Sequence, residues 1–226
     1  MKTSSSLLVI IVIILTGCSQ PVKKEPFEGT INYTITITSK LTAGKHFNTF
    51  REEQKYGDKM KLFIRQNGDF RREFPNSRHH GFRSFLFKAD SNKHFMRWRN
   101  NDTAYAANSA VNSLQFISEK ELPGEKIKGA TCKCYFISGI DLKNKQPVSL
   151  TYFYPVSKEY IDPTPYRNYK DFFYDKVITK MQAPFYKLIM DMGKYTITLV
   201  MDDIDPHYLE PSIFKIPDDI PIFYTL

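Results

Sequence analysis

Two cysteines, Cys132 and Cys134, lie two residues apart, and their spacing fits a small number of chemical roles. On the strand predicted over residues 127–138, positions i and i+2 share a face, with Cα atoms about 6.6 Å apart at a rise of ~3.3 Å per residue. This separation is near the upper limit for a disulfide, and parallel Cβ vectors would leave a bridge strained and easily reduced. A redox role is one interpretation. We favour two packed thiols, or a disulfide without a function.

Two further groups have the composition of metal ligands but lack the spacing. His79 and His80 are adjacent in a Gly-bounded turn, and neighbouring histidines without a partner motif are more typical of an exposed loop. Asp202, Asp203 and Asp205 resemble part of a calcium loop, without the glycine and bidentate glutamate of an EF-hand. We therefore predict no metal site and no cofactor.

The sequence contains no specific enzyme motif. The hydrolase pattern G-x-S-x-G, the P-loop, the zinc motif H-E-x-x-H and paired-cysteine zinc patterns do not occur in it. A catalytic site assembled from distant residues leaves no such trace in a sequence. We therefore predict a non-enzymatic protein, with an unrecognised activity as the minor alternative.

Cys18 closes a stretch that is typical of export and lipid attachment. Lys2 supplies a positive charge, and Leu7–Leu15 is an apolar run. The run is too short for a membrane-spanning helix, which needs ~20 residues, but it suits a signal peptide. The sequence LTGC at residues 15–18 resembles the bacterial lipoprotein box, whose cysteine receives acyl chains such as palmitate. We predict a signal peptide over residues 1–17 and lipidation of Cys18; a plain secretory signal is the alternative.

The residues after Cys18 indicate which membrane would hold the anchor and how the anchor would be connected to the folded domain. Acyl chains bury many methylenes at about 0.8 kcal/mol each, so such an anchor would be stable. Aspartate after the lipidated cysteine retains lipoproteins in the inner membrane, so Ser19 at this position indicates the outer membrane, facing the periplasm or the cell surface. Residues 18–26 are polar, contain two prolines and form a predicted tether. A single domain is predicted over residues 27–226.

Positive charge is concentrated in one part of the chain. The net charge is +8, and nine Lys or Arg face three acidic residues between Arg65 and Arg99. Arginines interleaved with aromatic residues are typical of polyanion-binding surfaces, and the candidate contacts are Arg71, Arg72, Arg97 and Arg99. A membrane anchor argues against nucleic acid and leaves lipid headgroups, lipopolysaccharide or acidic glycans as partners. We favour a solvated basic face without a dedicated ligand.

The pattern of the mature chain predicts mostly β-structure. Phe27–Thr38 alternates apolar residues with threonine and asparagine at period two, which indicates a half-buried antiparallel strand. Asn67-Gly68 predicts a tight turn between strands at residues 59–66 and 70–74. Further strands are predicted at residues 83–88, 94–99, 103–107, 127–138, 148–154, 184–191 and 194–202.

Three segments are harder to assign. Residues 46–55 combine a possible helical face with surroundings that favour a strand, and residues 108–120 have room for a short helix. Residues 170–181 carry Phe173, Val177 and Met181 at helical spacing, and they form the strongest helix candidate. About ten strands in series, with one or two helices, predict one large curved antiparallel sheet.

Short motifs across the mature chain resemble those of an uncharacterised family of secreted bacterial lipoproteins. They are FEGTINY at 27–33, YGDKMK at 56–61, IKGATCKC at 127–134, YFYP at 152–155 and FKIP at 214–217. That family is similar in architecture to the lipoprotein carriers LolA and LolB, which are curved antiparallel half-barrels with helices across the concave side. The resemblance implies a mainly β, LolA-like half-barrel, and it implies fold more than function.

In the carriers the apolar concave face holds acyl chains, and several residues of this chain have the composition to line such a face. They are Tyr33, Ile35, Ile37, Leu62, Ile64, Tyr152 and Tyr154. The alternative is that these residues form a filled core under the helix. Two hypotheses follow: an envelope lipoprotein that binds an apolar or amphiphilic ligand or a lipidated partner, and an interaction module whose basic hairpins contact an anionic partner. The sequence leaves the oligomeric state open.

Overall fold

The computed structural model describes residues 24–42, 44–156 and 159–225, which form a large β-sheet with short helices. The strands are β1 (Gly29–Ser39), β2 (Leu41–Thr42), β3 (Lys45–His46), β4 (Lys59–Ile64), β5 (Phe70–Glu73), β6 (Phe82–Lys88), β7 (Lys93–Trp98), β8 (Ala104–Asn108), β9 (Leu114–Ile127), β10 (Ala130–Asp141), β11 (Pro147–Pro155), β12 (Lys187–Asp191), β13 (Tyr195–Pro206) and β14 (Ile222–Tyr224). The helices are α1 (Phe50–Tyr56) and α2 (Tyr174–Met181), with 3-10 turns at Thr164–Tyr166, Asp171–Phe173 and Pro211–Phe214. The predicted signal peptide and Cys18 lie outside the described residues.

Twelve of the strands form one open, curved sheet. Their order is β14-β8-β7-β6-β5-β4-β1-β13-β12-β11-β10-β9. The pair β14–β8 is parallel, with residues 222–224 beside residues 104–106, so the sheet is mixed rather than purely antiparallel as predicted. The predicted fold class, mainly β with one large curved sheet and one or two helices, is confirmed.

The strand β1 lies near the middle of the sheet. It pairs antiparallel with β4 on one side and with β13 on the other. Ile31, Tyr33 and Ile35 are buried on one face, while Thr36 and Thr38 on the opposite face are exposed. The alternation of side chains along β1 therefore places apolar residues on a covered face and polar residues on a more exposed face, as predicted for this stretch.

The two faces of the sheet differ in what covers them. We call the face that carries Tyr33, Phe70 and Tyr152 the inner face, and the opposite one the outer face. The inner face is covered by α2 and the turns before it, and Tyr174 of α2 packs on Phe70 with ring centres 5.7 Å apart. The outer face carries a smaller apolar cluster around Leu86, where the turn Pro211–Phe214 packs. The main core therefore lies between the inner face and α2.

Two of the segments that are hard to assign from the sequence have a clear structure. Residues 46–55, for which a strand was favoured, contain most of α1. This helix ends at Gly57, whose N–H donates to the Glu53 carbonyl at 2.8 Å. Residues 108–120, where a short helix was considered, contain the start of β9, which lies at the edge of the sheet and pairs with β10. Most residues of β9 are exposed to water at this edge, on both faces of the strand. The sequence of β9 therefore lacks the alternation of apolar and polar residues that indicates a strand.

The predicted helix over residues 170–181 is confirmed for its last eight residues. The helix α2 begins at Tyr174, because Phe172 and Phe173 have positive φ angles of 52° and 57° that interrupt a right-handed helix. Val177, Ile178 and Met181 are the buried residues of α2. In the part of the chain that the structure describes, no helix is long and apolar enough to cross a bilayer.

Candidate ligand-binding cavity

A cavity of about 270 Å³ lies between the inner face and the segment that precedes α2. The sheet contributes apolar side chains to it, among them Ile35, Met60, Leu150, Leu188, Ile197 and Leu199. An apolar cavity of roughly 150 Å³ is large enough to bind benzene, and small-molecule sites begin at roughly 300 Å³. The cavity is therefore of the size that takes one short apolar chain or a single ring.

Strand register brings the apolar residues of the cavity floor into rows. Register partners on β1, β13, β12 and β11 form the first row, which consists of Ile35, Leu199, Leu188 and Tyr152. The second row lies two residues further along each strand and contains Ile197, Met190 and Leu150. Because residues two apart share a face of a strand, both rows point to the inner face. The floor is continuous and apolar across four strands.

The cavity lies far from the point at which the chain enters the sheet. Phe27 is buried, and its N–H donates to the Tyr160 carbonyl at 2.6 Å, which fixes the entry point. Ile35 follows Gly29 by six positions, which corresponds to about 20 Å along an extended strand. We call the end at Phe27 the entry end and the opposite end, which contains most of the cavity, the distal end.

The roof of the cavity contains strained backbone. Phe172 and Phe173 adopt left-handed conformations, which cost a bulky L-residue roughly 1–2 kcal/mol each. Phe172 lines the cavity. Phe173 is 4% exposed and packs edge-on against Phe116 with ring centres 5.7 Å apart. Packing on both sides therefore holds this conformation, and the strain is located at the cavity itself.

Arg72 brings a positive charge into the cavity wall. Its guanidinium carbon lies 5.1 Å from the centre of the Phe70 ring and 5.5 Å from that of Phe85. Its Nε is buried, and among the described residues it has no hydrogen-bond acceptor. Within the same ranges, the ion pairs closer than 4.0 Å do not include Arg72. The guanidinium is held by aromatic faces rather than by a carboxylate.

Besides Arg72 and several tyrosines, the titratable side chains that line the cavity are His94 and Asp171. His94 stacks on Phe85 with ring centres 5.0 Å apart, and its Nδ1 lies 3.1 Å from the Ser109 hydroxyl. Burial lowers the pKa of His94; Asp171 raises it and Arg72 lowers it further, both by smaller amounts. The imidazole is therefore neutral at neutral pH.

Asp171 is directed to Ser113 in the neighbouring loop. Its Oδ1 accepts hydrogen bonds from the Ser113 hydroxyl at 2.7 Å and from the Ser113 N–H at 3.3 Å. Two donors thus occupy one oxygen of this carboxylate. Asp171 links the roof of the cavity to the start of β9 and is not paired with Arg72.

Four tyrosines complete the cavity wall at its aromatic side, and they are Tyr56, Tyr152, Tyr169 and Tyr174. Burial is the main cause that raises the pKa of each hydroxyl, and the positive charge of Arg72 opposes the rise in all four. These hydroxyls are therefore protonated and neutral at neutral pH. The charge of Arg72 lies close enough to act on every one of them.

The residues predicted to line an apolar face are divided between the cavity and the core around it. Ile35 and Tyr152 line the cavity. The other five do not reach its wall: Tyr33, Leu62 and Ile64 are buried in the main core, Ile37 packs at its margin, and Tyr154 lines a separate depression beside Lys180. The Tyr33 hydroxyl donates to the Phe185 carbonyl at 2.9 Å. Part of the predicted set thus forms filled core and part forms cavity wall.

The four arginines predicted to contact a polyanion do not form one surface. Arg72 faces the cavity, whereas Arg71 on the outer face donates to the Ile213 carbonyl at 2.8 Å. Arg97 is 5% exposed and follows a cavity-lining residue on β7, so it also belongs to the outer face. Arg99 donates to two backbone carbonyls in the turn after β5, at 2.7 Å each. Side chains that are adjacent in sequence thus lie on opposite faces of the sheet.

The two cysteines on β10 are free thiols. Cys132 and Cys134 are each 2% exposed, and a register irregularity in the β9–β10 pairing lies between them. Burial raises the pKa of both thiols, so both are protonated at neutral pH. They act as small packed side chains in the described structure.

The candidate metal ligands are engaged elsewhere or lie apart. Asp202 pairs with Lys59 at 3.0 Å, and Asp203 accepts a hydrogen bond from Asn32 at 2.7 Å. His79 and His80 are exposed, with ring centres 4.8 Å apart. Across residues 24–42, 44–156 and 159–225, no cluster of three or more such ligands could hold a metal ion.

A second depression of about 770 Å³ lies at the entry end. Its wall combines charged residues such as Glu28 and Arg65 with Tyr160 and Tyr208, and it is wide and open. Tyr208 is 65% exposed there. A wide, open groove with charged residues in its wall gives little burial to an apolar ligand, so the smaller cavity at the distal end is the stronger candidate site.

No protein-family model matches this chain, and no curated protein matches it. Solved structures with a similar fold include the lipoprotein LppX of Mycobacterium tuberculosis, with a TM-score of 0.38 and 9% identity over 81% of this chain and 90% of that one. The LolA superfamily protein NE2245 from Nitrosomonas europaea has a TM-score of 0.37 and 11% identity over 85% and 91%. LprF from Mycobacterium bovis has a TM-score of 0.37 and 6% identity over 80% and 88%.

These are likenesses to a solved lipoprotein and to a solved LolA superfamily protein. At these sequence identities the similarity is one of strand arrangement, and the strand order of the sheet already describes that arrangement.

Proposed function

We propose that this chain is a lipid-anchored, non-enzymatic protein of the bacterial envelope that holds an apolar or amphiphilic ligand, or an acyl chain of a lipidated partner, in the cavity at the distal end. The observation that carries the proposal is the continuous apolar floor formed by the rows on β1, β13, β12 and β11. Each buried methylene of a ligand contributes about 0.8 kcal/mol. A chain of several methylenes therefore binds without any specific polar contact.

The proposal includes the anchor. In it, residues 1–17 are removed as a signal peptide, Cys18 is acylated, Ser19 directs the protein to the outer membrane, and residues 18–26 tether a single domain over residues 27–226. The distance of about 20 Å from Gly29 to Ile35 supports a working arrangement in which the cavity is held away from the anchor. A ligand would then be exchanged with a partner rather than with the lipids around the acyl chains.

Binding of a neutral chain tests the cavity directly. The described core involves residues from Phe27 onward, so a chain that begins at Ser19 keeps these contacts and is free of the anchor. We expect decanol, titrated into this protein by calorimetry, to bind to a single saturable site. An absence of saturable binding would contradict the proposed function.

A matched pair of variants on β12 locates the site. Met190 lines the cavity, and its neighbour Ile189 lies on the opposite face of the same strand. The indole in Met190→Trp occupies ligand space, so we expect decanol affinity to fall at least about tenfold, equivalent to ~1.4 kcal/mol. The same substitution at Ile189 should leave the affinity unchanged. Equal losses in both variants would place the ligand elsewhere.

The anchor has a separate test. In the full chain, Cys18→Ser removes the thiol that would receive the lipid, so we expect processing to be blocked or the protein to leave the outer-membrane fraction. Fractionation of cells, followed by mass spectrometry of the amino-terminal peptide, measures both. A Cys18→Ser protein that is processed and fractionates like the parent would refute the lipidation.

A further inference from the structure

We propose that the cavity recognises the anionic headgroup of a single-chain amphiphile, a carboxylate or a phosphate, through the guanidinium of Arg72. This inference rests on the proposed function, since it assigns a ligand class to the same cavity. It is carried by the position of a cation in a wall that is otherwise mainly apolar and aromatic.

The first step is the state of the guanidinium. Arg72 has a buried Nε without an acceptor, and it lies 5.1 and 5.5 Å from two aromatic ring centres. Contact with ring faces replaces only part of the water that a cation loses on burial. The planar guanidinium still has donors in a fork that matches the two oxygens of a carboxylate or phosphate. An anion that enters the cavity completes this set.

The second step is the charge of the surroundings. Asp171 is the one acidic side chain in the described wall of the cavity, and one of its oxygens is occupied by Ser113. His94 is neutral at neutral pH, as are the tyrosine hydroxyls. Asp171 keeps its negative charge, but the charged wall residue that acts on the hydroxyls of Tyr152 and Tyr174 is Arg72. On that side of the cavity the field is therefore positive and attracts an anion.

The third step is the geometry of a head and a tail. Arg72 is on β5, and the apolar row that ends at Tyr152 crosses β1, β13, β12 and β11. Three strands separate β5 from β12, so about 19 Å of sheet lie between them at ~4.8 Å per strand. When the headgroup lies at Arg72, the apolar floor is thus available to one extended alkyl chain. The volume of about 270 Å³ favours one chain over two.

Three ligands with the same alkyl chain test the inference on the protein that begins at Ser19. We expect decanoate or decyl phosphate to bind roughly tenfold to a hundredfold more tightly than decanol at neutral pH, as measured by calorimetry. The tighter of the two anions identifies the headgroup as a carboxylate or a phosphate. Decanol binding with no gain for either anion would overturn the inference and leave the proposed function intact. No binding of any of the three would overturn both.

Two arginine variants assign the preference to its side chain. Arg72→Met keeps an apolar stem against the aromatic rings and removes the charge, so the affinity ratio of anion to decanol should fall to about one. Arg83 is exposed on β6 and is not part of the cavity wall, so Arg83→Met should keep the ratio of the parent. A preference that survives Arg72→Met, or that disappears equally in both variants, would contradict a role for Arg72. If Arg72→Met fails to fold, the comparison of the two anions with decanol in the unaltered protein still tests the inference.

Discussion

Arg72 lies with its guanidinium carbon 5.5 Å from the centre of the Phe85 ring, inside the cavity that forms the candidate site. His94 stacks on the same ring at 5.0 Å. One aromatic side chain thus supports both a permanent cation and a titratable imidazole. This arrangement makes the electrostatics of the cavity sensitive to changes at a small number of positions.

The first prediction concerns pH. Burial lowers the pKa of His94 in the folded chain below its ordinary value of 6.5, which applies to the unfolded chain. At a pH between the folded and the unfolded pKa, the unfolded chain therefore binds a proton that the folded chain does not. The free energy of unfolding should therefore decrease as the pH falls below 6.5. In His94→Gln this contribution is absent, so the difference in unfolding free energy between parent and variant should change across that window. Urea titrations at a series of pH values measure it.

The control for this prediction is internal. The other histidines and the carboxylates titrate in both proteins, so their contribution cancels in the difference between parent and His94→Gln. Parallel pH profiles for the two proteins would contradict a buried, neutral His94.

The second prediction concerns the hydrogen bond of Tyr33. Its ring packs on Phe185 with centres 4.7 Å apart, and its hydroxyl donates to the Phe185 carbonyl at 2.9 Å, with no exposure to water. Tyr33→Phe keeps the ring and leaves the carbonyl without this donor, so unfolding free energy should fall by about 1–2 kcal/mol. Tyr208→Phe is the control, because Tyr208 is 65% exposed. Equal urea midpoints for the two variants would contradict the contribution of the Tyr33 hydroxyl.

The third prediction distinguishes two reasons why a position requires glycine, a positive φ angle and a close backbone contact. Gly57, which ends α1, has a φ of +68°, and a Cβ there would lie 2.5 Å from the Asn76 carbonyl carbon. Gly129 has a φ of +82° and no atom within 4 Å of such a Cβ. Alanine costs conformational strain at both positions, but at Gly57 it also forces backbone apart, so Gly57→Ala should be destabilising by roughly 1–3 kcal/mol more than Gly129→Ala. Thermal unfolding of the two variants that shows equal losses would exclude the close contact as the cause.

The sheet could be predicted from the sequence because its strands carry local signals. The alternation from Phe27 to Thr38 corresponds closely to β1 at Gly29–Ser39, and Asn67-Gly68 marks the turn between β4 and β5. These features depend on neighbours one or two residues apart, which the sequence displays directly. The parallel pairing of β14 with β8 has no such signal, because it depends on contact between distant segments.

The cavity could be predicted only in part. Ile35 and Tyr152 share the inner face with Tyr33 and Ile64, and alternation alone does not distinguish a lined void from a filled core. Composition alone groups Arg72 with Arg71, although the two-residue period of a strand places adjacent side chains on opposite faces of β5. The role of Arg72 depends on Phe85 from a separate hairpin. Strand pairing, rather than spacing along the chain, brings them together.

The most direct test of the central claim is mass spectrometry of an organic extract from the purified protein that begins at Ser19, compared with extracts of Met190→Trp and Ile189→Trp. A cavity that holds an apolar chain should retain a co-purified amphiphile in the parent and in Ile189→Trp, and should lose it in Met190→Trp. Extracts without any such molecule in the parent, or with equal amounts in all three proteins, would contradict the account.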